Sequence, residues 1–171
     1  MATRADFSTA EWRTVRNAPH WVMAAATTAS SSGLLGTLKE TLAPAGALVQ
    51  ALKGNNPLLR AICDQEEMRA AVEEVRQDAQ SIDAGEMPAY LQQQAVGKSR
   101  AALAIVQARR GTEDAKVYAG FLMDLAQRVT RAASEGGILG FGGERVSEGE
   151  RVFLSELAEA LGWPGERTFA A

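Results

Sequence analysis

The sequence predicts an all-α fold, a single-domain bundle of about six to seven helices with a glycine-rich loop before the last one. Three observations predict it. Apolar side chains recur at spacings of three and four; capping residues, glycines and prolines punctuate the chain at helix-length intervals; and no alternating β-branched run of useful length occurs. A sheet is not expected beyond a short extended piece in the glycine-rich loop. The 171 residues fit one domain, read as 1–171 with 1–7 and 165–171 as flexible tails, and a chain of this size buries roughly 70% of its unfolded surface. A hydrophobic content of 46% against 23% charged residues is too apolar for intrinsic disorder.

The elements follow in order. Ser8 with Glu11 three residues later is a capping-box signature, so a helix begins there and carries Trp12 and Val15 inward. Pro19 lacks an amide proton, which places a break near Asn17 and a restart with Pro19 in the first turn, followed by Trp21, Val22 and a run of alanines. Ser30 to Gly33 supply a turn, after which Leu34, Leu35, Leu38 and Leu42 mark another helix that Pro44 kinks or ends. Gly54-Asn55-Asn56-Pro57 combines a terminator, a capping side chain and a first-turn proline. The stripe Leu58, Leu59, Ile62, Met68, Val72, Val75, Ala79 and Ile82 then reads as one helical face.

Residues 83–88 read as a loop and the alanine-rich stretch 89–110 as a helix with Leu91, Ala95, Ala102, Ile105 and Val106 inward. Gly111 ends it, and Thr112 caps the next helix, whose first turn holds Glu113 and Asp114 against the positive end of the dipole. Tyr118, Phe121, Leu122, Leu125, Val129 and Ala132 form the strongest apolar stripe and the centre of the core. After the glycine-rich loop, Ser147 with Glu150 is a second capping box, and Val152, Phe153, Leu157 and Leu161 lie on the final helix, which Gly162 stops.

The residues that bear chemistry are few. Cys63 is the single cysteine, which excludes an internal disulfide and reads as a small buried hydrophobe rather than a nucleophile. His20 is the single histidine; one imidazole and one thiol are too few for a structural zinc site, and no motif sets a serine against His20, so it reads as structural, with proton transfer as the alternative. Glu66, Glu67, Glu73, Glu74 and Asp78 read as a solvated face offset by Arg69 and Arg76 rather than a metal or acid–base site. Trp12, Trp21 and Trp163 read as core or rim packing, with a partner surface as the alternative. The most distinctive feature is the run 136–145, where Gly140, Gly142 and Gly143 with Arg145 are the candidate ligand-binding residues, because glycines let a backbone approach an anion near a helix start. No Lys-Ser or Lys-Thr pair follows and no strand precedes, so the other reading has Ile138, Leu139 and Phe141 tucked into the core and the glycines making turns.

Two stretches echo each other. Val22-Met23-Ala24 through Ser32-Gly33-Leu34-Leu35-Gly36, and Leu122-Met123-Asp124 through Gly136-Gly137-Ile138-Leu139-Gly140, each read as a helix, a small-residue turn with a hydrophobic pair, and another helix. The second, continued through Ser147-Glu148-Gly149-Glu150 to Ala160-Leu161-Gly162, resembles the helix-turn-helix units of TerB-like domains of the tellurite-resistance type. The resemblance covers about a third of the chain and implies a compact helical bundle, in some members one that binds metal through acidic residues in such turns. Here Ser31, Ser32, Ser134 and Gly136 stand where an aspartate-glycine pair is expected, leaving Glu40, Glu135 and Glu144 as the nearby carboxylates, and no metal or cofactor is assigned.

A net charge of −3 with interspersed signs gives no footprint for nucleic acid or anionic lipid. The segment Met1-Ala2-Thr3-Arg4-Ala5-Asp6 lacks the order of a signal peptide, and the apolar stretch 21–29 is too short for a membrane span, so a cytoplasmic location is expected. The expectation for function is a non-enzymatic helical protein that acts through protein contacts, self-association included, in a stress response where the TerB-like resemblance is real. The alternative is a small-molecule, anion or metal-binding protein, or an enzyme, that uses Gly136 to Arg145.

Overall fold

The computed structural model describes residues 4–29, 54–135 and 147–164, with side chains through 131 in the middle segment. Among these residues the chain is helical and has no strand. A short 3-10 turn (Arg4–Asp6) precedes α1 (Thr9–Ala29), α2 (Pro57–Ile62), α3 (Gln65–Ala79), α4 (Met87–Glu135) and α5 (Glu148–Ala160). Five α-helices among the described residues is fewer than the expected six to seven. Gly111 divides α4 into two helical stretches, and the helix expected over 34–42 lies outside the described residues.

Local chemistry explains the starts and stops. The Ser8 amide donates to Glu11 Oε2 at 2.8 Å and the Glu11 amide to Ser8 Oγ at 3.3 Å, the reciprocal cap of α1. The same arrangement opens α5, where the Ser147 amide donates to Glu150 Oε2 at 2.7 Å and the Glu150 amide to Ser147 Oγ at 3.2 Å. Each box satisfies two amides that a helix start leaves without intrahelical partners. Asn56 caps α2 by accepting the Leu59 amide, with Pro57 in the first turn. Within the stretch 1–7, Arg4–Asp6 form the 3-10 turn and Phe7 is buried with its ring 5.7 Å from that of Trp12.

Two sequence expectations need correction. The break near Asn17 does not occur, because α1 continues straight through Pro19. Proline has no amide for the carbonyl of Val15, four residues earlier, and a buried carbonyl without a donor is unfavourable. The hydroxyl of Tyr118 donates to that carbonyl at 2.8 Å, so a side chain from α4 replaces the missing backbone donor. The stripe from Leu58 to Ile82, in turn, is two helices. Asp64 adopts extended backbone and its carboxylate accepts the Glu66 amide at 3.0 Å, which ends one helix and caps the next.

α1 is the central element. Glu11 meets Arg109 and Trp21 meets Tyr90, so α1 runs antiparallel to the 87–110 stretch of α4. Tyr118 reaches Val15, so the 112–135 stretch leaves Gly111 in the opposite direction. Gly111 makes this reversal with φ 84° and ψ 179°, a region that is essentially open to glycine alone. α5 then starts beside the end of α1, where Ser147 Oγ donates to the Ala29 carbonyl at 3.3 Å. It ends beside Gly120, against which Trp163 packs. The core between these helices includes Trp21, Val22, Leu91, Tyr118, Leu122, Leu125, Phe153 and Leu157, all buried. No helix among the described residues is long and apolar enough to cross a membrane.

Candidate functional site

The corner at Gly111 and the end of α5 together frame a groove. Because the two stretches of α4 diverge from that corner, Leu103 and Gln107 form one wall and Thr112, Ala115, Lys116 and Ala119 another. The third side comes from α5. Its last turn closes as a left-handed cap, in which the Gly162 amide donates to the Glu159 carbonyl at 3.1 Å and the Trp163 amide to the Ala158 carbonyl at 2.9 Å. Gly162 takes φ 57° there, the conformation this C-terminal motif requires. The turn folds Trp163 back over α4, where Gly120 leaves room for it: a Cβ at Gly120 would lie 3.1 Å from the indole Cη2.

The resulting space is about 620 Å³, walled mainly by Leu103, Ala115, Ala119, Leu161, Trp163 and Pro164. That volume is within the range of ordinary ligand and side-chain pockets, roughly 300–1,000 Å³. Lys116 is the one charged lining residue, and its ammonium pairs with Glu113 at 3.1 Å. Val117 and Trp163 at the groove are among the few large apolar side chains that are exposed among the described residues.

A second concentration of polar groups lies between α1 and α3. Arg16 is buried and donates to Glu67 Oε2 at 2.9 Å, to Asn17 Oδ1 at 3.1 Å and pairs with Glu74 Oε1 at 2.7 Å. Glu67 also accepts from Trp12 Nε1, and Glu74 from Asn17 Nδ2 and Arg13 Nε. Burial alone would raise the Glu74 carboxyl, but its bonds to Asn17 and Arg16 outweigh that and hold it below its usual range. Glu67 and Glu74 therefore belong to a network that ties α3 to α1 rather than to a solvated face, whereas exposed Glu73 pairs locally with Arg76 at 2.9 Å.

His20 lies one turn beyond Arg16 and is buried. Loss of hydration, with the nearby Arg16 charge second, pushes it down to about 4, so the imidazole is neutral at physiological pH. Its Nδ1 has no hydrogen-bond partner. Cys63 is buried too, and desolvation pushes its thiol up to about 11; thiolate, the nucleophilic form, is thereby suppressed. No group of three or more His, Cys, Asp or Glu among the described residues is placed to hold a metal ion.

The candidate residues Gly140, Gly142, Gly143 and Arg145 lie outside the described residues, as do Glu40 and Glu144 and the side chain of Glu135. Trp12 and Trp21 are buried, and Trp163 alone of the three tryptophans stands partly exposed. Sequence reasoning passed over Leu103, Gln107, Ala119 and Gly120. The available signal was Gly120, an isolated glycine inside a strong helical stripe, which marks close packing by another group. Comparison of the chain with protein-family models, with curated proteins and with solved structures finds no match in any of the three.

Proposed function

We propose that this protein is a non-enzymatic, cytoplasmic helical bundle that acts by contact with another protein chain, and that the groove beside Trp163 makes the contact. The observation that carries this reading is the groove itself: an open, mainly apolar space with a partly exposed tryptophan in its wall. Tryptophans in desolvated pockets dominate protein interfaces, and exposed apolar patches on soluble domains commonly mark such sites. Two residues with the intrinsic chemistry for catalysis are tuned away from it. His20 is enclosed and titrates near 4, and the Cys63 thiol is pushed up to about 11.

A relation to TerB-like helical domains, with a place in stress responses, is part of the same proposal. What supports it is the close of α4 at Glu135 followed in the chain by α5 (Glu148–Ala160), which starts with the Ser147–Glu150 cap.

The test is a photoreactive amino acid in place of Val117, at the groove, compared with one in place of exposed Lys98 on the 87–110 stretch. Irradiation in cells that make the protein is expected to give a discrete protein adduct from position 117, lost when Trp163 is replaced by serine, and none from position 98. Equal yields from both positions, or none from either, would remove the groove as the contact.

A further inference from the structure

We infer that the partner seated in this groove is a second copy of the same chain, which offers the outer face of its α5. The inference rests on the groove being a protein contact, as proposed above. Among the described residues three large apolar side chains stand exposed: Val117 at 43%, Val152 at 47% and Trp163 at 37%. Val117 and Trp163 line the groove. Val152 lies on α5, in a shallow hollow of about 330 Å³ shaped by Glu148, Arg151, Ser155 and Glu156. A single contact between these two surfaces covers all three side chains.

Shape and charge agree with that pairing. The groove walls at Ala115, Ala119 and Gly120 carry small side chains, which leave space for a branched aliphatic group and the helix that bears it. Lys116 is the groove's one charged lining residue, whereas Val152 has Glu148 one turn before it and Glu156 one turn after it on the same helical face. Arg151 is the one base in that hollow, so the α5 surface is net acidic, whereas the one charge that lines the groove is the Lys116 ammonium, paired with Glu113. The link of Lys116 to Glu113 joins two exposed side chains and offers little resistance to exchange. The surfaces are distinct but belong to one chain. Made twice about a two-fold axis, the contact closes a dimer.

Light scattering or sedimentation from micromolar to near-millimolar protein tests this. The mass is expected to rise from 18.2 kDa toward double that value. Lys116→Glu and, separately, Glu148→Lys with Glu156→Lys are each expected to weaken association by at least about tenfold. An equimolar mixture of the two variants is expected to recover it, because the exchanged charges are again complementary. Thermal melting of each variant confirms that it is folded. A strict monomer at every concentration, or association indifferent to all three substitutions, overturns the inference. The Val117 photo-adduct separates the levels of failure: an adduct with a different protein keeps the groove as a contact and sinks self-pairing, and no adduct sinks both.

Discussion

Two side chains decide how α1 tolerates its own sequence. Pro19 leaves the Val15 carbonyl without an amide, and Tyr118, fully buried, supplies the donor at 2.8 Å. Tyr118→Phe is therefore expected to destabilise the fold by about 1–3 kcal/mol, the cost of an orphaned buried acceptor. In a Pro19→Ala background the new amide can take that carbonyl, so the same change should cost less than half as much. Urea unfolding of the four proteins in this cycle measures both, and equal costs in the two backgrounds would contradict the pairing. The apolar stripe that holds Tyr118 was legible in the sequence; the destination of its hydroxyl was not, because it depends on a contact 103 residues away. His20 supplies a second residue-scale prediction. Below its ordinary value of 6.5 the unfolded chain takes up a proton that the buried imidazole refuses until about 4. Stability is thus full above pH 6.5 and falls by about 3 kcal/mol as the pH drops to 4. Glu74, held low in the fold, adds its own loss once the pH falls below its ordinary value of 4.5. A His20→Gln variant should flatten the upper part of this profile, between pH 6.5 and 5, in denaturation followed by circular dichroism. An unchanged slope would show that His20 is not the group responsible.

At the scale of elements, caps were readable and corners were half readable. Both capping boxes form as their spacing predicts, because each is closed within four residues and needs no distant partner. Gly111 was readable as a terminator, yet the reversal it makes depends on α1 to receive both stretches of α4. Its backbone sets a paired prediction. At Gly111 an added Cβ meets nothing within 4 Å, so Gly111→Ala tests conformation alone and is expected to cost about 1–3 kcal/mol. Gly97, in the helical interior with equal space around it, should instead gain up to about 1 kcal/mol on replacement by alanine. Thermal or chemical unfolding of the two variants reads the difference, and the same sign for both would contradict the assigned conformation. The α1–α3 link was misread from sequence, since carboxylates spaced along one helix give no sign of an arginine on another. Arg16→Met would leave Glu67 and Glu74 partly buried with their main partner gone, for an expected loss of about 2–4 kcal/mol in the same assay.

For the whole molecule, periodicity was enough to reach the helical architecture of the described residues, and the main loss of information lay in how helices far apart in sequence meet. The groove illustrates it: its walls come from residues near 103, 115 and 163, and nothing within any one of these segments announces the other two. The glycines at 120 and 162 carry the trace, one making room for the indole and the other turning the chain so that Trp163 arrives there. The central claim is that this indole sits at a contact between two copies of the chain while the other two tryptophans are core. Labelling with 5-fluorotryptophan gives three fluorine resonances in the intact protein, and Trp163→Phe identifies one of them. On raising the protein concentration, the Trp163 resonance is expected to shift while those of Trp12 and Trp21 stay in place. Three resonances that all hold still, or that all move together, would contradict the account.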